Sequence, residues 1–176
     1  MRFVVPSIVV SQFHLREGDV VADFGAGSGF FIDILSKSVG PAGRVYALDI
    51  QKMLVEKIGA MVQTQGLLNV DTKWCDFEVA EGSRLKADEL DAAVVVNTLF
   101  QVENKPAFLT EIHRTLRSGG KLLIIDWTDT ETGMGPNAEH LVISADCIDL
   151  CESHGFVLDR DFPAGEHHYG LAFRKP

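Results

Sequence analysis

The sequence predicts an α/β fold: a doubly wound, mostly parallel seven-stranded sheet with helices on both faces and a C-terminal antiparallel hairpin. Three observations predict it. Short apolar runs alternate with segments of helical periodicity from Val20 to His154. One strand-to-helix junction, VADFGAGSGF at 21–30, carries glycines at every second position, Gly25, Gly27 and Gly29. Finally, FVLDRDF at 156–162 and HHYGLAFRK at 167–175 alternate like the two arms of a hairpin.

The elements follow in order. Ser7, after Pro6, caps a short helix running to Phe13, and LREGD at 15–19 turns into the sheet. Val20, Val21 and Ala22 read as a short buried strand, and Phe30, Phe31, Ile34 and Leu35 then recur at helical spacing. GRVYALDI at 43–50, entered through the turn GPAG, is the second strand, closed by Asp49. Leu54, Ile58, Met61, Val62 and Gln65 form one face of the next helix. VDTKWCDF at 70–77 is the third strand, and SRLKADEL at 83–90 a polar turn or surface loop. LDAAVVVNTLF at 90–100 is the central fourth strand, because the unbroken apolar run Ala92–Val96 suits a strand covered on both faces. Asn104 and Pro106 open a helix with Phe108, Leu109, Ile112 and Leu116 on one face, stopped at Gly119-Gly120. KLLIIDW at 121–127 is the fifth strand, followed by the loop TDTETGMGPNAEH. Ser144 caps a last helix through His154, stopped by Gly155.

The glycine junction carries the chemistry. A strand, a glycine turn and a helix form the nucleoside-binding corner of Rossmann-like domains, where the backbone must approach a ligand without a Cβ in the way. A dinucleotide site reads G-x-G-x-x-G. Here the pattern is G-x-G-x-G, and Phe30 stands where the third glycine belongs. Asp23 ends the first strand, two residues before the first glycine. Its carboxylate repels a pyrophosphate and suits an ammonium or sulfonium group. The expected ligand is a cationic nucleoside. At the end of the second strand, Asp49 is placed to accept hydrogen bonds from both ribose hydroxyls. Asn97 ends the fourth strand, so positions 23 and 97 flank the crevice.

Other functions are disfavoured. A net charge of −9 argues against a nucleic-acid or anionic-membrane surface. No stretch approaches the roughly 20 apolar residues of a membrane span, and the start FVVPSIVV, broken by Pro6, does not read as a signal peptide. The 3 cysteines cannot form a closed disulfide framework, which makes a reducing cytoplasm the default location. Cys147, Cys151 and His154 share a helix face, but three soft ligands without a fourth make a poor closed zinc site, so no metal is expected. His167, His168 and Tyr169, opening the second hairpin arm, are the candidates for a catalytic base.

At these residues the chain resembles the class I S-adenosylmethionine-dependent methyltransferases. DFGAGSG at 23–29 is similar to their first motif, RVYALDI at 44–50 to their second-strand acid, and LRSGGKLLIIDW at 116–127 to their fifth-strand segment. The resemblance runs from Gly18 to the C-terminus and is nearest the small members similar to ubiquinone/menaquinone-biosynthesis methyltransferases. It implies one methyltransferase domain over residues 1–176, with 1–17 a short helical segment partly covering the site. The cofactor it implies is S-adenosyl-L-methionine. Asp23, Gly25, Ala26, Gly27 and Gly29 would hold its methionine part, Asp49 the ribose, and Asp76 with Phe77 the adenine, with Ile50 a further cofactor-binding residue. Asn97 would meet the cofactor's amino-acid portion or a polar group of the substrate. The residues NTLF at 97–100 are not the N-P-P-Y pattern of nitrogen methyltransferases, and Phe100 stands where relatives commonly carry histidine. The expected substrate is a small, partly apolar metabolite methylated at carbon or oxygen, acted on by this chain alone, as a homodimer or with a partner chain. The rival is a cofactor-binding module without chemistry, serving as a partner subunit. A nicotinamide oxidoreductase would need the missing third glycine, and neither Tyr46 nor Tyr169 has a lysine four residues on.

Overall fold

A computed structural model describes residues 4–130 and 135–176. Seven strands form one sheet: β1 (Val20–Phe24), β2 (Arg44–Asp49), β3 (Val70–Trp74), β4 (Leu90–Val96), β5 (Leu116–Trp127), β6 (Val157–Gly165) and β7 (His168–Arg174). Their order is β3-β2-β1-β4-β5-β7-β6. Pairing is parallel from β3 through β5, and β7 lies antiparallel to both β5 and β6. The predicted doubly wound topology with its terminal hairpin is the one observed.

Alternate residues of each strand enter opposite cores. Ala22, Leu48, Val95 and Ile124 pack with Phe108 and Ile112 of α4 (Lys105–Thr115) and Cys147 and Cys151 of α5 (Ser144–Ser153). Val21, Ala47, Val94 and Ile125 pack on the other face with α1 (Pro6–Ser11), α2 (Ile32–Val39) and α3 (Lys52–Gln65). Cys147 and Cys151 are fully buried core residues, and the ring of His154 bonds the Leu150 carbonyl through Nδ1 at 2.7 Å.

Several boundaries move for local reasons. The helix expected through Phe13 ends at Ser11, and Phe13 is buried in the core. Helix α4 ends at Thr115, before the two glycines, because Leu116 already pairs with Leu90. Gly119 and Gly120 instead continue the sheet edge, the first donating its N–H to Lys175 O and the second accepting from Lys175 N–H. Ser144 is the first residue of α5 rather than its cap; Ile143 holds that position without a side-chain bond. Asn104 caps α4 as expected, its Oδ1 accepting from Ala107 N–H at 3.2 Å. Strand β4 stops at Val96 because Asn97 takes a left-handed backbone (φ 52°), and a 3-10 turn, Leu99–Gln101, follows. Of the loop after β5, residues 131–134 lie outside the described residues.

Gly29 also finds its explanation in packing. Its φ is +82°, and a Cβ there would meet Met61 Cε at 3.1 Å and Ile58 Cγ1 at 3.2 Å, so the turn lies close on α3. Gly29→Ala is expected to cost about 1–2 kcal/mol of stability. Urea unfolding would show it, with cofactor affinity changed by less than about threefold.

Candidate functional site

The strand order reverses between β1 and β4, and ligands of open α/β sheets bind in the crevice outside the carboxyl ends at such a point. A cleft of about 460 Å³ lies there. Its floor is the glycine turn. Gly25 and Ala26 donate their N–H groups to Leu48 O, both at 2.9 Å, which fastens the turn to β2. Gly27 N–H donates to Asp49 Oδ2 at 2.9 Å, while Asp49 Oδ1 accepts from Gln51 N–H at 2.8 Å. One buried carboxylate therefore ties together the turn after β1 and the turn after β2.

The glycines are required by shape. Gly25 has φ +84°, and a Cβ there would sit 2.4 Å from Thr98 Oγ1. Thr98 belongs to the opposite wall and donates its hydroxyl to Val96 O at 3.0 Å. Gly25→Ala is expected to cost about 2–4 kcal/mol through overpacking and backbone strain. The checks are a lowered denaturation midpoint together with weakened cofactor binding. Gly27 (φ +56°) has open space beside it, with only Gly25 O at 3.9 Å from an added Cβ, so its backbone is the part open to a ligand.

The charge of the cleft is one-sided. Asp23, Asp49 and Glu78 line it, and among the described residues no lysine or arginine does. Asp23 is buried, and burial first, then the neighbouring Asp49 charge, pushes its carboxyl up to about 7. Such a pair favours a cationic guest. Across the cleft, Asn97 holds its strained backbone while its Oδ1 is buried without a hydrogen-bond partner among the described residues. A buried acceptor left unsatisfied costs about 1–3 kcal/mol, so a donor from a bound ligand would be favoured here. Strained backbone held at a cleft is a further sign of function.

Of the predicted site residues, Asp23, Gly25, Ala26, Gly27, Asp49 and Ile50 line the cleft, together with Phe77 and Asn97. Gly29 does not, for the packing reason given above. Asp76 does not either: β3 ends at Trp74, and Asp76 Oδ1 turns back to accept Glu78 N–H at 3.0 Å. Glu78 lines the cleft in its place. The spacing of acids in CDFE at 75–78 contains no signal that separates the two. Phe77 is mostly core, its ring 5.3 Å from Phe108 and 5.8 Å from Phe24. The sequence reading missed Ser28 and Thr98, and Gln101 lines the cleft too. Gln101 donates Nε2–H to Asn97 O at 2.8 Å, a contact made by the 3-10 turn, which has no distinct sequence pattern.

The three residues expected to supply a base are not brought to the cleft. His168 is buried against the Trp127 ring at 4.2 Å between centroids, and burial lowers its pKa. Tyr169 donates its hydroxyl to Val142 O at 3.0 Å, and burial raises its pKa. His167 pairs with Asp129 at 2.9 Å. Pairing of β7 against β5 sets His168 opposite Trp127 and Tyr169 opposite Asp126, three strands away from β1. The leading helix α1 packs against α2, and none of its residues lines the cleft.

Buried Asp126, at the end of β5, shapes the far wall. It accepts from Trp127 N–H at 2.9 Å and Phe100 N–H at 3.3 Å, so it holds the Leu99–Gln101 turn in place. Burial pushes its carboxyl up to about 6.

Comparison with known proteins agrees with this geometry. A family model described as a methyltransferase domain matches residues 15–154. The ubiquinone/menaquinone biosynthesis C-methyltransferase of Hydrogenovibrio crunogenus is 30% identical over 115 residues, covering 65% of this chain and 44% of the relative. That of Bordetella parapertussis is 28% identical, covering 74% and 49%. The chain thus spans under half the length of these curated relatives. A crystal structure of a SAM-dependent methyltransferase from Aquifex aeolicus superposes with TM-score 0.91 at 29% identity, covering 99% of this chain and 91% of that one. The geranyl diphosphate C-methyltransferase of Streptomyces coelicolor, solved with S-adenosyl-L-homocysteine, shares the fold at TM-score 0.80 and 12% identity, covering 97% of this chain and 79% of that one. The chain belongs to the methyltransferase-domain family, within the class I S-adenosylmethionine-dependent methyltransferases.

Proposed function

We propose that this chain transfers the methyl group of S-adenosylmethionine to carbon or oxygen of a small, partly apolar metabolite. The observation that carries the reading is the cleft at the strand-order reversal, lined by three acids and by no lysine or arginine among the described residues. A pyrophosphate would be repelled there, and a sulfonium nucleoside with an ammonium group is attracted. The bound cofactor supplies an already activated methyl group on a positively charged sulfur.

The residues of the chain then bind, orient and exclude water. Asp23 and the Gly25–Gly27 backbone take the methionine part, with Asn97 Oδ1 accepting from its ammonium. Asp49 faces the ribose while it holds Gly27 and Gln51. Ile50, Phe77 and Leu54 offer apolar walls to the adenine, and Glu78 rather than Asp76 is the nearby acid. His167, His168 and Tyr169 take no part in this reading, because none lines the cleft. The three cysteines are unpaired, which suits a reducing cytoplasm, and the net charge of −9 suits a small-molecule rather than a nucleic-acid partner. No helix among the described residues is long and apolar enough to cross a membrane.

The test is transfer of tritium from methyl-labelled S-adenosylmethionine to a panel of small enols, phenols and carboxylic acids. Label in product, absent with Asp49→Ala, is the expected result. A cofactor that binds yet gives its methyl to none of them would favour the non-catalytic binding module.

A further inference from the structure

A second cavity, of about 620 Å³, opens beside the first. The two share Gln101 and Val102, so the Leu99–Gln101 turn is their common wall. This cavity has a different chemistry. Phe100, Val102 and Pro136 give it an apolar side, and Lys105, Asn137 and His140 a hydrogen-bonding one. Lys105 is the only lysine or arginine lining either cavity among the described residues. Its ammonium donates to Val102 O at 2.7 Å, and an ammonium has three donors to give. Glu103 also lines this cavity and is exposed.

Behind Gly135 lies a buried aromatic pair. Gly135 lies flat on the Trp127 indole, where an added Cβ would be 2.8 Å from Cδ2. Trp127 Nε1 and both ring nitrogens of His168, stacked behind it, are buried without a hydrogen-bond partner among the described residues. Buried polar groups in native proteins are nearly always paired.

Resting on the methyltransferase reading above, we propose that the second cavity is the methyl-acceptor subsite, and that it takes a small acceptor with an apolar body and a carboxylate paired to Lys105. The apolar body lies across Phe100, Val102 and Pro136, and the reacting atom enters the cleft beside Gln101. Gln101 spends its Nε2–H on Asn97 O, and its Oε1 remains an acceptor for a hydroxyl of the substrate. The new bond forms from the acceptor carbon or oxygen to the methyl carbon. The methyl–sulfur bond breaks with its electron pair left on sulfur, and the proton of the acceptor atom leaves to water. A cationic cofactor in an acid-lined cleft and an anionic acceptor beside the one lysine are thereby sorted by charge.

The test uses the full chain saturated with S-adenosylhomocysteine, titrated with phenylacetate and with its uncharged twin phenylacetamide, followed by amide NMR. Phenylacetate is expected to bind at least fivefold tighter and to shift the amides of Glu103, Gly135 and Asn137. Lys105→Met should abolish the preference, Lys105→Arg should retain it, and both should bind S-adenosylhomocysteine as the parent does. Equal binding of the two probes, binding of neither, or shifts confined to the Gly25–Gly27 turn would overturn the proposal while leaving the methyltransferase reading intact. Failure of S-adenosylhomocysteine itself to bind would overturn that reading first.

Discussion

Asp49→Ala is expected to weaken S-adenosylmethionine binding by about a hundredfold or more, equivalent to about 3 kcal/mol. The side chain is buried, and its two oxygens accept Gly27 N–H and Gln51 N–H. Removing it leaves two backbone donors without their acceptor and frees the glycine turn from the turn after β2. It also deletes the acceptor proposed for the ribose hydroxyls. Asp49→Asn keeps the shape and one acceptor oxygen, so a smaller loss, about tenfold, is expected from titration calorimetry. Equal losses for the two variants would assign the residue to shape alone.

Asp23 should make cofactor binding depend on pH. Burial raises its carboxyl from 3.8 to about 7, so at pH 6 the free protein carries it mostly protonated. A cationic ligand stabilises the carboxylate and expels the proton on binding. Affinity should therefore climb from pH 6 to 8, by up to about tenfold per unit below the transition. Asp23→Asn should flatten that profile and bind about tenfold or more weakly at pH 8. The stability of the free protein should run the other way. A raised native pKa contributes stability that is fully present below the unfolded value of 3.8 and is lost as pH rises through about 7. Opposite pH slopes for stability and for binding, both flattened in the one variant, would be difficult to obtain from any residue other than a buried acid at the ligand.

The parts of the fold and site that were legible in the sequence are those set by local patterns. Gly25 and Gly27 were readable because a turn with positive φ next to another backbone excludes a Cβ, and Asp23 and Asp49 because strand ends fix their place. The continuous apolar run of β4 announced a strand buried on both faces. What depended on contacts between distant segments was not legible. Gly29 looks like its two neighbours in the motif, yet its reason is the approach of Met61 and Ile58 from α3. Asp76 and Glu78 are two apart, and only the turn geometry after Trp74 decides which one faces the cleft. The histidines at 167 and 168 sit at β7, three strands from β1, a distance that follows from the order β1-β4-β5-β7 and from no pattern within the hairpin itself. The end of α4 shows the same competition: Leu116 is taken by pairing with Leu90 before the glycines can act.

The most direct test of the central claim is a calorimetric titration of the chain with S-adenosylmethionine and, separately, with NADH. Micromolar-range binding of S-adenosylmethionine, lost in Asp49→Ala, with no heat from NADH, is the predicted result. Binding of NADH in preference to S-adenosylmethionine would contradict the assignment of the acid-lined cleft to a cationic nucleoside.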